Sequence, residues 1–87
     1  MKIGNRNIRI VPENNLRCGG FDVYLEFSGQ REYLMWHRHN GILYDILKSG
    51  IRLDDLRRML QKKPACKSRI RYLLTVIDEY LDDRACA

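Results

Sequence analysis

The fold is decided by Phe21-Asp22-Val23-Tyr24-Leu25-Glu26-Phe27, in which apolar and polar side chains alternate without interruption. Successive side chains of a β-strand point to opposite faces of the sheet, so this alternation predicts a strand with one buried face. The pair Ser28-Gly29 that follows is typical of a tight turn. Residues Gln30 to Trp36 return as a second strand, and the whole segment is therefore predicted to form a β-hairpin.

The register of this hairpin has two readings. A two-residue loop gives the pairs Glu26–Arg31, Leu25–Glu32, Tyr24–Tyr33, Val23–Leu34 and Phe21–Trp36. This register leaves Glu32 on an inner face that is otherwise apolar. A three-residue loop places Tyr33 and Met35 inward instead. Both readings stay open, because a shift of one residue moves every side chain of the strand to the other face.

A third strand is predicted before the hairpin. The segment Asn7 to Val11 alternates in the same way. Pro12 is predicted to end it, because proline has no N–H to offer to a strand ladder. The predicted sheet therefore has three strands, over residues 7–11, 21–27 and 30–36.

Beyond His39 the apolar spacing changes from that of a strand to that of a helix. Asn40 is a suitable N-cap for a first helix, and Pro64 is suited to the first turn of a third. The spacing predicts helices over 40–49, 53–61 and 64–82. Three strands followed by three helices predict one α+β domain over residues 1–87, with a three-stranded antiparallel sheet and the helices packed on one face.

Composition and charge narrow the possible functions. The chain of 87 residues carries 16 Lys and Arg against 11 Asp and Glu, and this formal net charge of +5 favours polyanionic partners. No apolar run approaches the roughly 20 residues of a membrane helix, so no membrane association is expected. The first residues lack the apolar stretch of a secretion signal. Three cysteines at long spacings match neither a disulfide framework nor a zinc motif. A cytoplasmic protein with reduced thiols is expected.

Residues capable of catalysis are few. The segment His37-Arg38-His39 places two imidazoles on one face of a strand, but no acidic or cysteine partner lies at ligand spacing. The two histidines are interpreted as partly exposed residues at a strand end. Cys66 is predicted on the apolar side of the third helix, where cysteine is a small core residue. No phosphate-binding glycine loop, nucleophile elbow or zinc-protease motif occurs. The chain is predicted not to be an enzyme and to need no metal or cofactor.

The third helix carries its charges in the reverse of the order that its dipole favours. Its start is rich in cations and its end in acids, although the N-terminal end of a helix is partially positive. The segment from Arg57 to Arg71 holds seven cations and no acid. Each misplaced charge costs about 0.3 kcal/mol or more, so binding of an anion is predicted at this place. A contact with another protein, or no role, are the alternatives.

The second and third helices share an apolar spacing, at Leu53, Leu56, Leu60, Ile70, Leu73 and Ile77. With the turn Lys62-Lys63-Pro64 between them, they resemble a winged helix-turn-helix module whose sheet comes first. The resemblance implies a non-enzymatic module that binds nucleic acid, and double-stranded DNA in preference to RNA. It implies base contacts from Lys67, Ser68, Arg71, Tyr72 and Thr75. It implies phosphate contacts from Arg57, Arg58, Lys62 and Lys63, with Arg69 in the same cationic cluster.

The same order of elements also resembles the small peptide-clasping domains of peptide-modification systems. Those domains capture a leader peptide as an extra strand beside their sheet. This second resemblance implies a protein- or peptide-binding adaptor or inhibitor, which uses the basic face or an exposed sheet edge such as Asn7 to Val11. A protein partner or a homodimer stays open. Salt separates the two functions, because nucleic-acid binding weakens by orders of magnitude as salt rises, whereas strand addition responds little.

Overall fold

The computed structural model describes residues 7–15, 19–62 and 66–86. The strands are β1 (Arg9–Asn15), β2 (Gly20–Phe27), β3 (Gln30–Arg38) and β4 (Ile51–Arg52). The helices are α1 (Gly41–Leu47), α2 (Leu53–Met59) and α3 (Lys67–Cys86), and a 3-10 turn over Leu60–Lys62 continues α2. The predicted start of the third helix, at Pro64, lies outside the described residues.

The prediction of a three-stranded sheet is wrong, because the sheet has four antiparallel strands in the order β3-β2-β1-β4. The additional strand, β4, pairs with β1 through Arg9–Arg52 and Ile10–Ile51. It begins directly after Gly50, whose positive φ of 73° turns the chain away from α1. A strand of two residues is too short to show an alternating pattern, so periodicity along the chain does not reveal it.

Strand β1 is longer and more central than predicted. It runs through Pro12 to Asn15, and it lies between β2 and β4. Because β4 covers only Arg9 and Ile10, no described strand pairs with that side of β1 beyond Ile10. Proline is tolerated on such an unpaired side, where its missing N–H is not needed. The outermost strands of the described sheet are therefore β3 and β4, and the edge expected at Asn7 to Val11 is wrong at Arg9 and Ile10, where β4 covers it.

The hairpin has the two-residue loop. Ser28 and Gly29 have φ values of 51° and 73°, and positive φ at both loop residues is the mark of a type I′ turn. Such a turn matches the natural twist of two antiparallel strands. The two-residue-loop register holds from Phe27–Gln30 up to the pair Tyr24–Tyr33.

A β-bulge changes the second half of β3. The pairing skips Leu34, so that Val23 lies opposite Met35 and Phe21 lies opposite His37. The predicted partners Leu34 and Trp36 are therefore wrong for this half of the strand. The shift turns His37 into the core, where 6% of it is exposed, and the interpretation of this histidine as partly exposed is wrong as well. Residues 33–36 are all apolar or aromatic, so alternation does not distinguish the two registers.

The core lies between one face of the sheet and the three helices. The odd-numbered residues of β2 point into it and the even-numbered ones are half-buried. The strands and the residue before β1 contribute Ile8, Ile10, Phe21, Val23, Leu25 and Phe27. The helical half contributes Leu43, Leu47, Leu53, Leu56, Cys66, Ile70, Leu73, Leu74 and Ile77. None of the helices in the described ranges is long and apolar enough to cross a membrane.

Two polar side chains at the core boundary are held by specific partners. Asn40 caps α1 as predicted, since its Oδ1 accepts the backbone N–H of Leu43 at 2.9 Å. Glu32, the one acidic residue of the inner face of β3, accepts a hydrogen bond from the hydroxyl of Tyr80 in α3. A carboxylate that leaves water requires such donors, so this bond ties α3 to β3.

Candidate functional site

Two of the predicted phosphate-binding residues are paired with carboxylates of the protein itself. Arg57 donates two hydrogen bonds to Asp78 of α3, from Nη2 to Oδ1 at 2.5 Å and from Nη1 to Oδ2 at 3.3 Å. Arg58 donates one to Oδ1 of Asp55 at 2.9 Å within α2. Both cations therefore already have a carboxylate partner, which weakens their predicted role as phosphate contacts.

The pairing with Asp78 also shows in the protonation of Arg57. The hydrogen bond to Asp78 raises the pKa of the guanidinium, and the charges of Asp78 and Asp54 add to this effect, while partial burial opposes it. Since the folded-state pKa lies above the unfolded-state value, the stabilisation is fully present below the latter and is lost only as the pH rises through the strongly alkaline folded-state pKa. Over neutral pH, protonation of Arg57 contributes a constant stabilisation.

The Arg57–Asp78 pair allows a stability prediction. In a double-mutant cycle of Arg57→Ala, Asp78→Ala and the double variant, we expect a coupling free energy of about 0.5–1 kcal/mol, because the two side chains are 37% and 51% exposed and solvent screens such pairs. Urea unfolding measures it. The Arg58–Asp55 pair, exposed by 68% and 51%, is the control and should couple more weakly. A zero coupling for Arg57–Asp78 would mean that Arg57 is free to meet a ligand.

The other predicted residues lie on or just before α3, on different flanks. At about 100° per residue, Lys67 and Arg71 share the flank of Asp78, on the side of α2, whereas Arg69 and Tyr72 lie on the side of β3. Lys67, Arg69 and Arg71 are exposed, and none of them forms an ion pair with a described residue. The fold thus separates the predicted cationic cluster into two surfaces.

Of the remaining predicted residues, Ser68 joins the surface on the side of β3, and Thr75 and Lys62 join neither surface. Thr75 is exposed and donates its hydroxyl to the backbone carbonyl of Arg71 at 3.0 Å. Lys62 is exposed at the end of the 3-10 turn, and Lys63 lies outside the described residues. Ser68 is exposed in the first turn of α3 and lies on the side of β3.

A groove of about 460 Å³ separates β3 from the first turns of α3. Its walls are Met35, Trp36, His37 and Arg38 of β3, and Ser68, Arg69 and Tyr72 of α3. Side chains of a strand alternate between two faces, so a groove that touches four consecutive residues must follow the edge of the strand. β3 is an edge strand of the described sheet, and its free edge is the floor of this groove.

The direction of the backbone groups of β3 follows from one hydrogen bond. The N–H of His39 donates to the carbonyl of Gly19 at 3.2 Å, on the side of β2. N–H groups two residues apart on a strand point the same way, so the N–H of His37 also faces β2. The N–H groups of Trp36 and Arg38 therefore point away from β2, toward the groove.

His37 supports the floor of the groove from the core side. Its ring stacks on Phe21, with centroids 5.4 Å apart and an interplanar angle of 18°. Its Nδ1 lies 2.7 Å from the backbone carbonyl of Arg38. A carbonyl oxygen only accepts, so Nδ1 carries the hydrogen and donates it. The bond holds the end of β3 against the core, and the histidine has a structural role in this arrangement.

The groove is cationic and partly aromatic. Its described lining includes Arg38 and Arg69 but no acidic residue, and neither arginine forms an ion pair in the described part of the chain. Trp36 and Tyr72 are 38% and 58% exposed. The indole of Trp36 lies against the backbone of Gly20. Exposed aromatic rings beside arginines are typical of interaction surfaces.

The sequence predicts three of the seven residues that line this groove, Ser68, Arg69 and Tyr72, as ligand contacts. It does not predict the other four, which are residues 35–38 of β3. The sequence signal is Trp36, an aromatic residue two positions before Arg38, but it indicates a site only once β3 is known to lie at the edge beside α3. Within residues 7–15, 19–62 and 66–86, no three His, Cys, Asp or Glu side chains lie close enough to hold a metal ion.

Comparison with known proteins gives no match to a family model, to a curated protein or to a solved structure.

Proposed function

We propose that this domain is a non-enzymatic binding module that takes up an extended peptide as an additional strand along β3. The observation that supports this proposal best is the groove that follows the free edge of β3 beside α3. An unpaired strand edge offers main-chain donors and acceptors to an extended chain. Here those groups include the N–H of Trp36 and the N–H of Arg38.

The dimensions of the groove suit one extended chain. Four residues of β3 line it, which corresponds to about 13 Å of strand. An added strand would lie about 4.8 Å from β3, with α3 against its core-facing side. Ser68, Arg69 and Tyr72 would contact its side chains, while the main chain would bond to β3. Main-chain bonds supply affinity in this mode, and the walls supply selectivity.

Nucleic acid is the second candidate ligand. Lys67 and Arg71 support it, because they are exposed, lie one helical turn apart and have no ion-pair partner among the described residues. Double-stranded DNA would meet this flank of α3, and phosphate contacts would supply most of the affinity. The proposal of a peptide ranks first because Arg57 and Arg58 are engaged elsewhere, so that fewer cations remain for a duplex than the sequence suggested.

A peptide whose backbone is methylated tests the proposal directly. A binder is first selected from a random library of peptides of roughly eight residues. Two versions are then made, with N-methyl groups on the odd or on the even residues. We expect one version to lose binding by at least tenfold and the other to keep it, because alternate N–H groups of an added strand face β3 and solvent. Calorimetric titration measures both.

Two further readouts separate the outcomes of this experiment. Hydrogen exchange of the Trp36 and Arg38 amides should slow when the peptide binds, since the structure directs both toward the groove. Equal binding by both methylated versions would contradict strand addition. The nucleic-acid function would be favoured if labelled duplex DNA binds, its affinity falls steeply between low and moderate salt, and the two amides are not protected.

A further inference from the structure

We infer that the peptide which occupies the β3–α3 groove is acidic, with carboxylates on both faces of the added strand and apolar residues between them. This inference rests on the proposed function, because it assigns the ligand chemistry of the same groove. It comes from the side chains on the two walls, whereas the proposed function comes from the backbone edge.

The described lining of the groove is positively charged. Arg38 contributes a cation from β3 and Arg69 contributes one from α3, and the seven lining residues include no acid. The described part of α3 begins at Lys67, beside this groove. The N-terminal end of a helix carries partial positive charge, which adds to that of the two arginines. A carboxylate in this groove is therefore favoured and an ammonium group is opposed.

The two arginines approach the groove from opposite faces of the sheet. Trp36 and Arg38 lie opposite Asp22 and Gly20 in the register, on the face of the sheet that is turned away from the core. Arg69 and Tyr72 belong to α3, on the core side. Side chains of an added strand alternate between these two faces. Each face therefore offers the peptide one arginine and one exposed aromatic ring.

One sequence pattern in the peptide fits both faces of the groove. On each face, the added strand needs one acidic and one apolar side chain, two residues apart. Each arginine then meets a carboxylate, and each exposed ring meets an apolar group. The repeat Leu-Leu-Glu-Glu has this property, because residues i and i+2 then differ on both faces. A peptide with Leu-Leu-Glu-Glu-Leu-Leu-Glu-Glu is the simplest probe, and the same peptide with Gln or Lys in place of Glu supplies the controls.

Fluorescence anisotropy with these three peptides at physiological salt tests the inference. We expect the Glu peptide to bind about tenfold more tightly than the Gln peptide, since two solvent-accessible charge pairs contribute a factor of about three each. The Lys peptide should bind more weakly than both. Double replacement of Arg38→Glu and Arg69→Glu should reverse the order, so that the Lys peptide binds most tightly.

The matched control is the double variant Lys67→Glu and Arg71→Glu. It makes the same change of net charge, but both of its substitutions lie on the flank of α3 that faces α2. It should keep the preference for the Glu peptide within about twofold, apart from screened long-range effects. An equal loss of preference in both double variants would overturn the inference, because the preference would then follow net charge and not the groove. Circular dichroism shows that each variant is folded.

Failure of the inference and failure of the proposed function give different results. Equal binding of the three peptides, with sensitivity to one phase of N-methylation, would overturn the acidic ligand and retain strand addition. Binding of none of the three peptides, together with insensitivity to methylation of the selected peptide, would overturn both. A third result would contradict the inference in favour of nucleic acid. In it, the unaltered protein binds duplex DNA but not the Glu peptide, and the double variant Lys67→Glu and Arg71→Glu loses the DNA binding.

Discussion

Replacement of Phe21 by alanine is expected to lower the free energy of unfolding by about 3–5 kcal/mol. Phe21 is completely buried in β2. Its ring stacks on His37, and Tyr44 packs edge-on to it with centroids 5.5 Å apart. The substitution removes the burial of the ring and leaves a cavity that two aromatic neighbours cannot close. A domain of this length has only ~5–10 kcal/mol of stability, so the variant should be close to unfolding. Urea unfolding at neutral pH is the measurement.

The substitution Ile42→Ala is the matched control for this prediction. Ile42 lies in the first turn of α1 and is 52% exposed, so its truncation should change the stability by no more than about 0.5 kcal/mol. If the two variants unfold at the same urea concentration, Phe21 does not organise the core.

A second consequence of Phe21→Ala concerns the groove, because the ring of His37 stacks on Phe21. A folded Phe21→Ala protein should therefore bind the groove peptide more weakly.

Replacement of Gly20 by alanine is expected to cost about 1–3 kcal/mol. A Cβ at this position would overlap the carbonyl oxygen of His37 and would lie 2.7 Å from two atoms of the Trp36 indole. The backbone of β3 cannot yield without breaking its pairing with β2, so the strand and the ring must both move. The substitution therefore disturbs the floor and one wall of the groove at the same time.

The substitution Gly41→Ala is the control for Gly20→Ala. No atom lies within 4 Å of a Cβ built at Gly41, and alanine restricts the unfolded chain more than glycine does, so we expect a gain of about 0.5 kcal/mol. Trp36 is the single tryptophan, and a shift of its emission should accompany Gly20→Ala and be absent for Gly41→Ala. Unchanged stability and emission in the Gly20 variant would contradict the close packing of Trp36 on this glycine.

The hairpin shows how far local pattern reaches in this chain. Alternation over residues 21–27 and the Ser28-Gly29 turn predict two strands, and the register that they allow is correct up to Tyr24–Tyr33. Turn type and pleat depend on a few neighbouring residues, which is why they can be predicted. The bulge at Leu34 cannot be predicted in this way, because the side chains of an apolar run can face either the core or the outside of the sheet. What places His37 in the core is its packing against Phe21 of the neighbouring strand.

Most of the candidate site depends on contacts between distant elements and not on local pattern. The sequence predicts cations at the start of α3, and they are there. It does not predict that Arg57 is bound by Asp78, which is 21 residues away. Nor does it predict that residues 35–38 and 68–72 form one groove, because the two segments lie on different elements. Contacts of this kind depend on how whole elements pack against each other.

The pattern of neighbouring residues thus determines that this chain forms a β-hairpin, continues as helices and carries its excess positive charge around the start of α3. These properties depend on pleat, helical period and turn chemistry, which act over a few residues. Packing of the complete domain settles three others. The first is that β3 is an edge strand while β4 covers the start of β1, and the second is that a bulge shifts the second half of β3. The third is that Arg57 and Arg58 have carboxylate partners while Arg38 and Arg69 have none among the described residues. Each of these depends on side chains that meet only after distant elements have come together.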